Sequence, residues 1–128
     1  MRVCLSREAE TELGFLKAKN RVAGIALEAT IATLASEANE VELPDGMSIQ
    51  RVGGLFRRGI RVSRVKYENY FPGVRFLFFS IPARNCVFVT GIHSRGDLGV
   101  GKNYDFSKEP FTRAQRYWGF RENLCPTQ

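Results

Sequence analysis

The chain has 128 residues, 44% of them hydrophobic, and a net charge of +6. This is the size and composition of one ordinary domain over residues 1–128, able to form a core without staples, and it argues against disorder. No stretch reaches the ~18 apolar residues of a membrane span, and the first residues carry no long apolar run. Neither membrane insertion nor a signal peptide is therefore expected, and the expected location is cytoplasmic.

Residues 2–5 suit a short first strand. Residues 6–19 read as a helix. Ser6 can cap it, Glu8, Glu10 and Glu12 suit its positive end, and Lys17 and Lys19 suit its negative end. Leu13, Phe15 and Leu16 supply a modest apolar stripe. A second helix starts at 20 or 22 and runs to 37, with Val22, Ile25, Ala26, Ala29, Ala32 and Thr33 at three-to-four spacing. Its alanines permit close packing, so residues 6–38 form a helical hairpin. An acidic connection follows, with a Pro44-Asp45-Gly46 turn.

The period then changes to two. Residues 48–52 are a candidate strand, broken by Gly53-Gly54. Residues 59–67 are another, with a phase switch that predicts a bulge near Ser63. Phe71-Pro72-Gly73 is a turn. The strongest strand covers 74–80, with Val74, Phe76 and Phe78 on one face and Arg75, Leu77 and Phe79 on the other. A turn at 82–85 leads to a last strand over 86–92. A glycine-rich loop covers 93–106, and a closing helix covers 107–121 with Pro110 in its first turn. Helices, then strands joined by short turns, then a helix make an α+β fold: a helical hairpin on a small antiparallel sheet with a C-terminal helix.

Cys4, Cys86 and Cys125 are odd in number and far apart, with no C-x-x-C or histidine spacing for zinc. They are expected as free thiols, with no metal and no disulfide framework.

Charge is unevenly placed. Residues 1–47 hold 5 Lys/Arg against 8 Asp/Glu, and residues 48–128 hold 14 against 5. Arg51, Arg57, Arg58, Arg61, Arg64 and Lys66 follow one another without an intervening acid. A solvated edge strand would account for such a run, but soluble surfaces usually mix signs, and the run favours a polyanion partner.

Four features could carry chemistry. Arg75 interrupts an apolar strand, so it meets an acid (Glu68, Asp97 or Asp105) or lines a cleft, where its flat fork would suit a phosphate. His93, the single histidine, follows the last strand beside Ser94 and Arg95, where it either packs or transfers protons. Residues 96–103 fit G-x-x-x-x-G-K but end in Asn103, and neither a parallel strand nor a buried helix flanks them, so no nucleotide cofactor is expected. Lys102 and nearby backbone N–H groups could still approach a phosphate. Tyr67, Tyr70, Phe71, Tyr104 and Trp118 lie among basic residues, as in proteins that stack RNA bases; Tyr104 is the best candidate.

The order of elements, with Gly53-Gly54-Leu55, Gly59-Ile60-Arg61-Val62, the strand Gly73-Val74-Arg75-Phe76-Leu77-Phe78-Phe79, then Val87-Phe88-Val89-Thr90-Gly91-Ile92-His93, Tyr104 and a helix bearing Ala114, resembles the RelE/HigB family of type II toxins over residues 20–121. Residues 1–19 and the long loop 94–103 depart from that pattern. The resemblance implies a microbial-RNase-like fold and an mRNA endoribonuclease acting in the ribosomal decoding site. It implies a metal-independent reaction leaving a 2′,3′-cyclic phosphate and a 5′-OH, and a small antitoxin partner. It assigns phosphate contact to Arg75, backbone binding to Arg61 and Arg64, proton or charge work to His93 and Arg95, and nucleotide orientation to Tyr104. Arg57, Arg58, Lys66 and Lys102 join the expected RNA-binding set. Gyrase-poisoning relatives share the fold, so a gyrase inhibitor or a non-catalytic nucleic-acid-binding protein is the alternative.

Overall fold

Alternation along one strand sets the architecture. In β4 (Val74–Ile81), Val74 and Phe76 pack to one side, and Leu77, Phe79 and Ile81 join a separate cluster. Both sides are therefore core, as period-two geometry allows for a central strand. The computed structural model describes residues 2–34, 47–68, 73–100 and 103–126. The turns expected at 44–46 and 71–72 lie outside these residues, as do Tyr70 and Lys102.

A 3-10 turn, Pro82–Arg84, closes on Asn85 in the left-handed conformation (φ 50°) and delivers the chain into β5 (Cys86–Ser94), antiparallel to β4. On the other side of β4 lies β3 (Ser63–Tyr67), and β2 (Met47–Arg51) pairs antiparallel with β3. The fifth strand, β1 (Arg2–Leu5), pairs with β5 and runs parallel to it, giving the order β1-β5-β4-β3-β2. The sheet is thus mixed rather than purely antiparallel. The reason lies at Ser6, whose N–H donates to Val89 O at 2.9 Å and whose Oγ donates to Thr90 O at 2.7 Å. Held at this point on β5, the chain before Ser6 runs in the direction of β5.

Ser6 also caps α1 (Arg7–Lys19) by accepting from Ala9 N, with Glu8 and Glu10 in the first turn and Lys17 and Lys19 in the last. Asn20 caps α2 (Arg21–Thr33) in the same way, through Ala23 N. The buried stripe of α2 is Ala23, Leu27 and Ile31, and Val22 and Ile25 are exposed. An alanine-rich helix offers several apolar phases, and the branched side chains at 27 and 31 decide between them. Phe15 of α1 is likewise exposed. Close approach of the two helices rests on Gly24, where a Cβ would fall 2.6 Å from Lys17 Cα.

α1 and α2 cover one face, placing Ala9, Leu13, Leu27 and Ile31 against Val65, Tyr67, Phe76, Val87 and Val89. α4 (Glu109–Gly119) covers part of the other, placing Phe111 and Ala114 in a cluster with Leu77, Phe79, Phe88 and Leu98. Pro110 stands in its first turn. The Gly53-Gly54 pair opens a one-turn helix, α3 (Gly53–Phe56), rather than a simple break. The irregularity in the ladder lies at Leu77/Phe78 against β5, not at Ser63; the phase change near Ser63 arises because β3 begins there. After β5 comes a 3-10 turn, Arg95–Leu98, then a small hairpin of β6 (Gly99–Val100) and β7 (Asn103–Tyr104).

Cys86 and Cys125 form a disulfide, which corrects the expectation of free thiols; Cys4 is unbonded. Sequence distance concealed the pairing, because the segment after α4 returns to the start of β5. No helix among the described residues is long and apolar enough to cross a membrane.

Ser6 joins sheet to helix through a buried hydroxyl. Ser6→Ala is expected to cost about 1–3 kcal/mol, from a lost cap and a lost hydroxyl bond to Thr90 O, which keeps its longer bond from Arg113. Urea unfolding should show a lower midpoint with an unchanged slope.

Candidate nucleic-acid interface

Beyond the reach of α4, the open end of the sheet exposes one face. Ser48 lies opposite Lys66, Gln50 opposite Arg64, and Lys66 opposite Arg75. Residues directly opposite share a face, so these five side chains form a floor. Arg95, Leu98, Gly99 and Tyr104 build a wall. The result is a groove of about 580 Å³ whose lining, among the described residues, holds four cations, Arg64, Lys66, Arg75 and Arg95, and no carboxylate.

Each cation is held differently. Arg75 is only 4% exposed; its Nη2 pairs with Glu68 Oε1 at 2.9 Å and its Nη1 donates to Val74 O at 3.0 Å. It therefore meets both readings of the sequence, since an acid pairs with it and it also lines a cleft. Glu68 in turn accepts from Gly73 N at 2.9 Å. That backbone bond, with the Arg75 guanidinium, holds the Glu68 carboxyl below its ordinary 4.5. Gly73 has a φ of 84°, which favours glycine at this bend. Arg64 donates through Nη1 to Tyr104 Oη and through Nη2 to Gln50 Oε1. The Tyr104 ring is fixed from behind by Phe111, with centroids 5.3 Å apart. Arg95 is exposed, and its side chain has no ion pair or hydrogen bond among the described residues.

Of the other expected RNA-binding residues, Arg57, Arg58 and Arg61 lie elsewhere, and Lys102 is outside the described residues. Arg57 and Arg58 are exposed after α3, Arg58 standing 6.0 Å from the Phe106 ring. Arg61 lines a different cleft, of about 740 Å³, with Arg51, Arg84, Arg121 and Trp118. Tyr67 is core.

His93 stands opposite Arg75 in the register, yet the two lean apart. Arg75 reaches toward the end of β3, whereas His93 turns toward α1 and α4. There it lines a depression of about 330 Å³ with Glu12, Asp97, Lys108, Glu109 and Arg113. Its Nδ1 is 3.7 Å from Glu12 Oε2, and its Nε2 is buried without a partner among the described residues. A side chain at Gly91 would collide with this imidazole and with Arg113. Burial lowers the His93 pKa below its ordinary 6.5, against the opposing pull of Glu12.

Sequence reasoning missed the centre of this cluster. Arg113 bonds Glu12 through Nη1 at 2.9 Å and Glu109 through Nε at 2.9 Å, and reaches Thr90 O at 3.3 Å. Burial alone would lower its pKa, but the bonds to Glu109 and Glu12 outweigh that and raise it. Nearby, Glu8 accepts from Tyr117 Oη and from Arg116 Nη2. For Glu8 burial pushes upward, yet the Tyr117 bond and the neighbouring arginines bring its pKa below 4.5. The available signal was Arg113 beside Ala114, next to the apolar stripe of a helix. Such a position calls for a buried acid partner. No family model, curated protein or solved structure matches the chain.

Burial of neutral His93 makes stability depend on pH. The unfolded chain binds a proton near 6.5 that the fold resists. Stability is then complete above about that pH and falls as pH drops below it. The carboxyls of Glu8 and Glu68, held below 4.5, act only at lower pH. Melting temperature should fall between about pH 7 and about pH 5.5 in the wild type, and His93→Gln should flatten the slope in that window. An unchanged slope in the variant would contradict the assignment.

Proposed function

We propose that the groove binds the backbone of single-stranded RNA and cleaves it, in the manner of a RelE/HigB toxin acting on mRNA in the cytoplasm, most naturally on the ribosome. The observation that carries the reading is the meeting of Arg64, Lys66, Arg75, Arg95 and Tyr104 in one groove, with no acid lining it among the described residues. Such a site attracts phosphates and supplies one ring on which a base can stack.

The chemistry follows from what each group can do. The ribose 2′-OH attacks the adjacent phosphorus, the P–O5′ bond breaks, and a 2′,3′-cyclic phosphate and a 5′-OH result. Arg75, held by Glu68, offers its remaining N–H groups to the phosphate, and Arg95 is free to swing onto the same oxygens as charge grows. Arginine keeps its proton in proteins. Proton transfer therefore falls to Lys66 and to Tyr104, whose hydroxyl lies against the Arg64 guanidinium. His93 has no part in this scheme, because it sits in the other depression. The protein partner implied by the family likeness is an antitoxin that would cover the groove.

The rival is a binding module without turnover. It is favoured by the same displacement of His93 and by the partial neutralisation of Arg75.

Expression without an antitoxin, followed by mapping of mRNA 5′ ends, separates the two. Discrete cuts ending in 5′-OH support the nuclease. Lys66→Ala and Tyr104→Phe should each slow cleavage by about 10²–10⁴, and His93→Asn should leave it near wild type at a temperature where the variant is folded. Binding without cuts leaves the module, and DNA damage without cuts points to gyrase. Lys66→Ala should also reduce the salt dependence of binding to single strands by about 0.7 in the logarithmic slope.

A further inference from the structure

Cys4, Cys86 and Cys125 come from β1, from the first position of β5 and from the segment after α4. Their sulfurs all lie within 4.8 Å of one another. The parallel register explains the first two. Arg2 stands beside Cys86, and Cys4, two residues on, returns to the same face of the sheet. Cys86 is fully buried, and Cys4 packs half-buried against the same cluster. Cys125 is brought in by a left-handed backbone (φ 49°), uncommon for a residue with a side chain. The guanidinium of Arg2 holds that turn by donating to Cys125 O at 2.6 Å.

A staple needs two cysteines, and the third sulfur is surplus to it. We propose that, once the Cys86–Cys125 disulfide is reduced, the three thiolates form a trigonal site for a single Cu⁺ ion. The inference is independent of the RNA groove. Soft thiolates select soft cations, and the donors gathered here are sulfur only. Structural zinc is almost always four-coordinate, whereas among the described residues the cluster offers three ligands. A metal–thiolate bond of about 2.3 Å places the sulfurs of a planar shell about 4.0 Å apart, within the span observed. Reaching it requires Cys125 to part from Cys86. Cys125 lies outside any strand ladder, and its backbone is held by one side-chain bond, from Arg2 to its carbonyl, so a small shift suffices.

The electrons balance through a dithiol reductant. It gives two electrons and two protons to the disulfide and closes into its own cyclic disulfide. Binding of Cu⁺ then displaces up to three thiol protons as three Cu–S bonds form. Reoxidation of Cys86 and Cys125 removes two of the three donors, so the site is open only in the reduced chain.

The test uses the full chain, anaerobically, with Cu⁺ presented as its complex with bathocuproine disulfonate. The dithiol-reduced chain should withdraw one Cu⁺ per molecule and show a three-sulfur shell by X-ray absorption. The oxidised chain should withdraw none. Cys4→Ser keeps the disulfide and should melt like wild type when oxidised. When reduced it should bind Cu⁺ more weakly by about tenfold or more, with one sulfur fewer in the shell. Equal binding by Cys4→Ser, equal binding by the oxidised and reduced chains, or displacement of Cu⁺ by Zn²⁺ would overturn the proposal. A reduced chain that unfolds and does not refold with Cu⁺ would also overturn it.

Discussion

The ion pair between Arg75 and Glu68 organises the end of the sheet on which the functional reading depends. A guanidinium beside Val74 and Phe76 cannot be buried alone, because an unpaired charge there costs several kcal/mol. Glu68, 2.9 Å away, compensates it from just beyond β3, and is itself pinned by the N–H of Gly73. The pair thus ties the exit of β3 to the entry of β4. It also fixes where the arginine fork points, toward Lys66 and Arg64 rather than into the apolar cluster. Glu68 also lies 4.0 Å from Lys66 Nζ, but its single charge balances only one of the four positive charges, so the groove stays positive while its central arginine stays in place.

A second charged cluster does different work on the same sheet. Arg113, Glu12 and His93 join α4, α1 and β5, with Glu12 also accepting from Ile92 N at 3.0 Å. Buried networks of this kind are costly when broken, because removing one member strands the others. The two clusters begin from facing residues, Arg75 and His93, whose side chains diverge to opposite flanks. One flank gathers cations around an open groove, and the other locks two helices onto the central strand.

Much of this was legible in the sequence, and the exceptions share a cause. Local signals succeeded: the Ser6 cap, the alternation from Val74 to Phe79, and Pro110 in a first turn. Properties set by distant partners did not. The parallel entry of β1 depends on bonds from Ser6 to β5, and the disulfide depends on where the chain goes after α4. In α2 the stripe expected through Val22 and Ile25 faces outward, and packing against the sheet selects Leu27 and Ile31 instead. Of the candidate site, Arg64, Lys66, Arg75, Arg95 and Tyr104 converge as a group, because alternate positions on paired strands are readable once a register is assumed. His93 could not be placed in that way. Its rotation toward Glu12 is determined by Gly91 beneath it and by Arg113 from a helix that begins well downstream.

The most direct measurement is amide and side-chain chemical-shift mapping with a short RNA whose 2′-OH groups are replaced by 2′-methoxy groups, so that it binds without being cut. The account predicts shifts centred on Arg64, Lys66, Arg75, Arg95 and Tyr104 that shrink as salt is raised. Shifts centred instead on the Arg61–Trp118 cleft or around His93, or none at any RNA concentration, would contradict it.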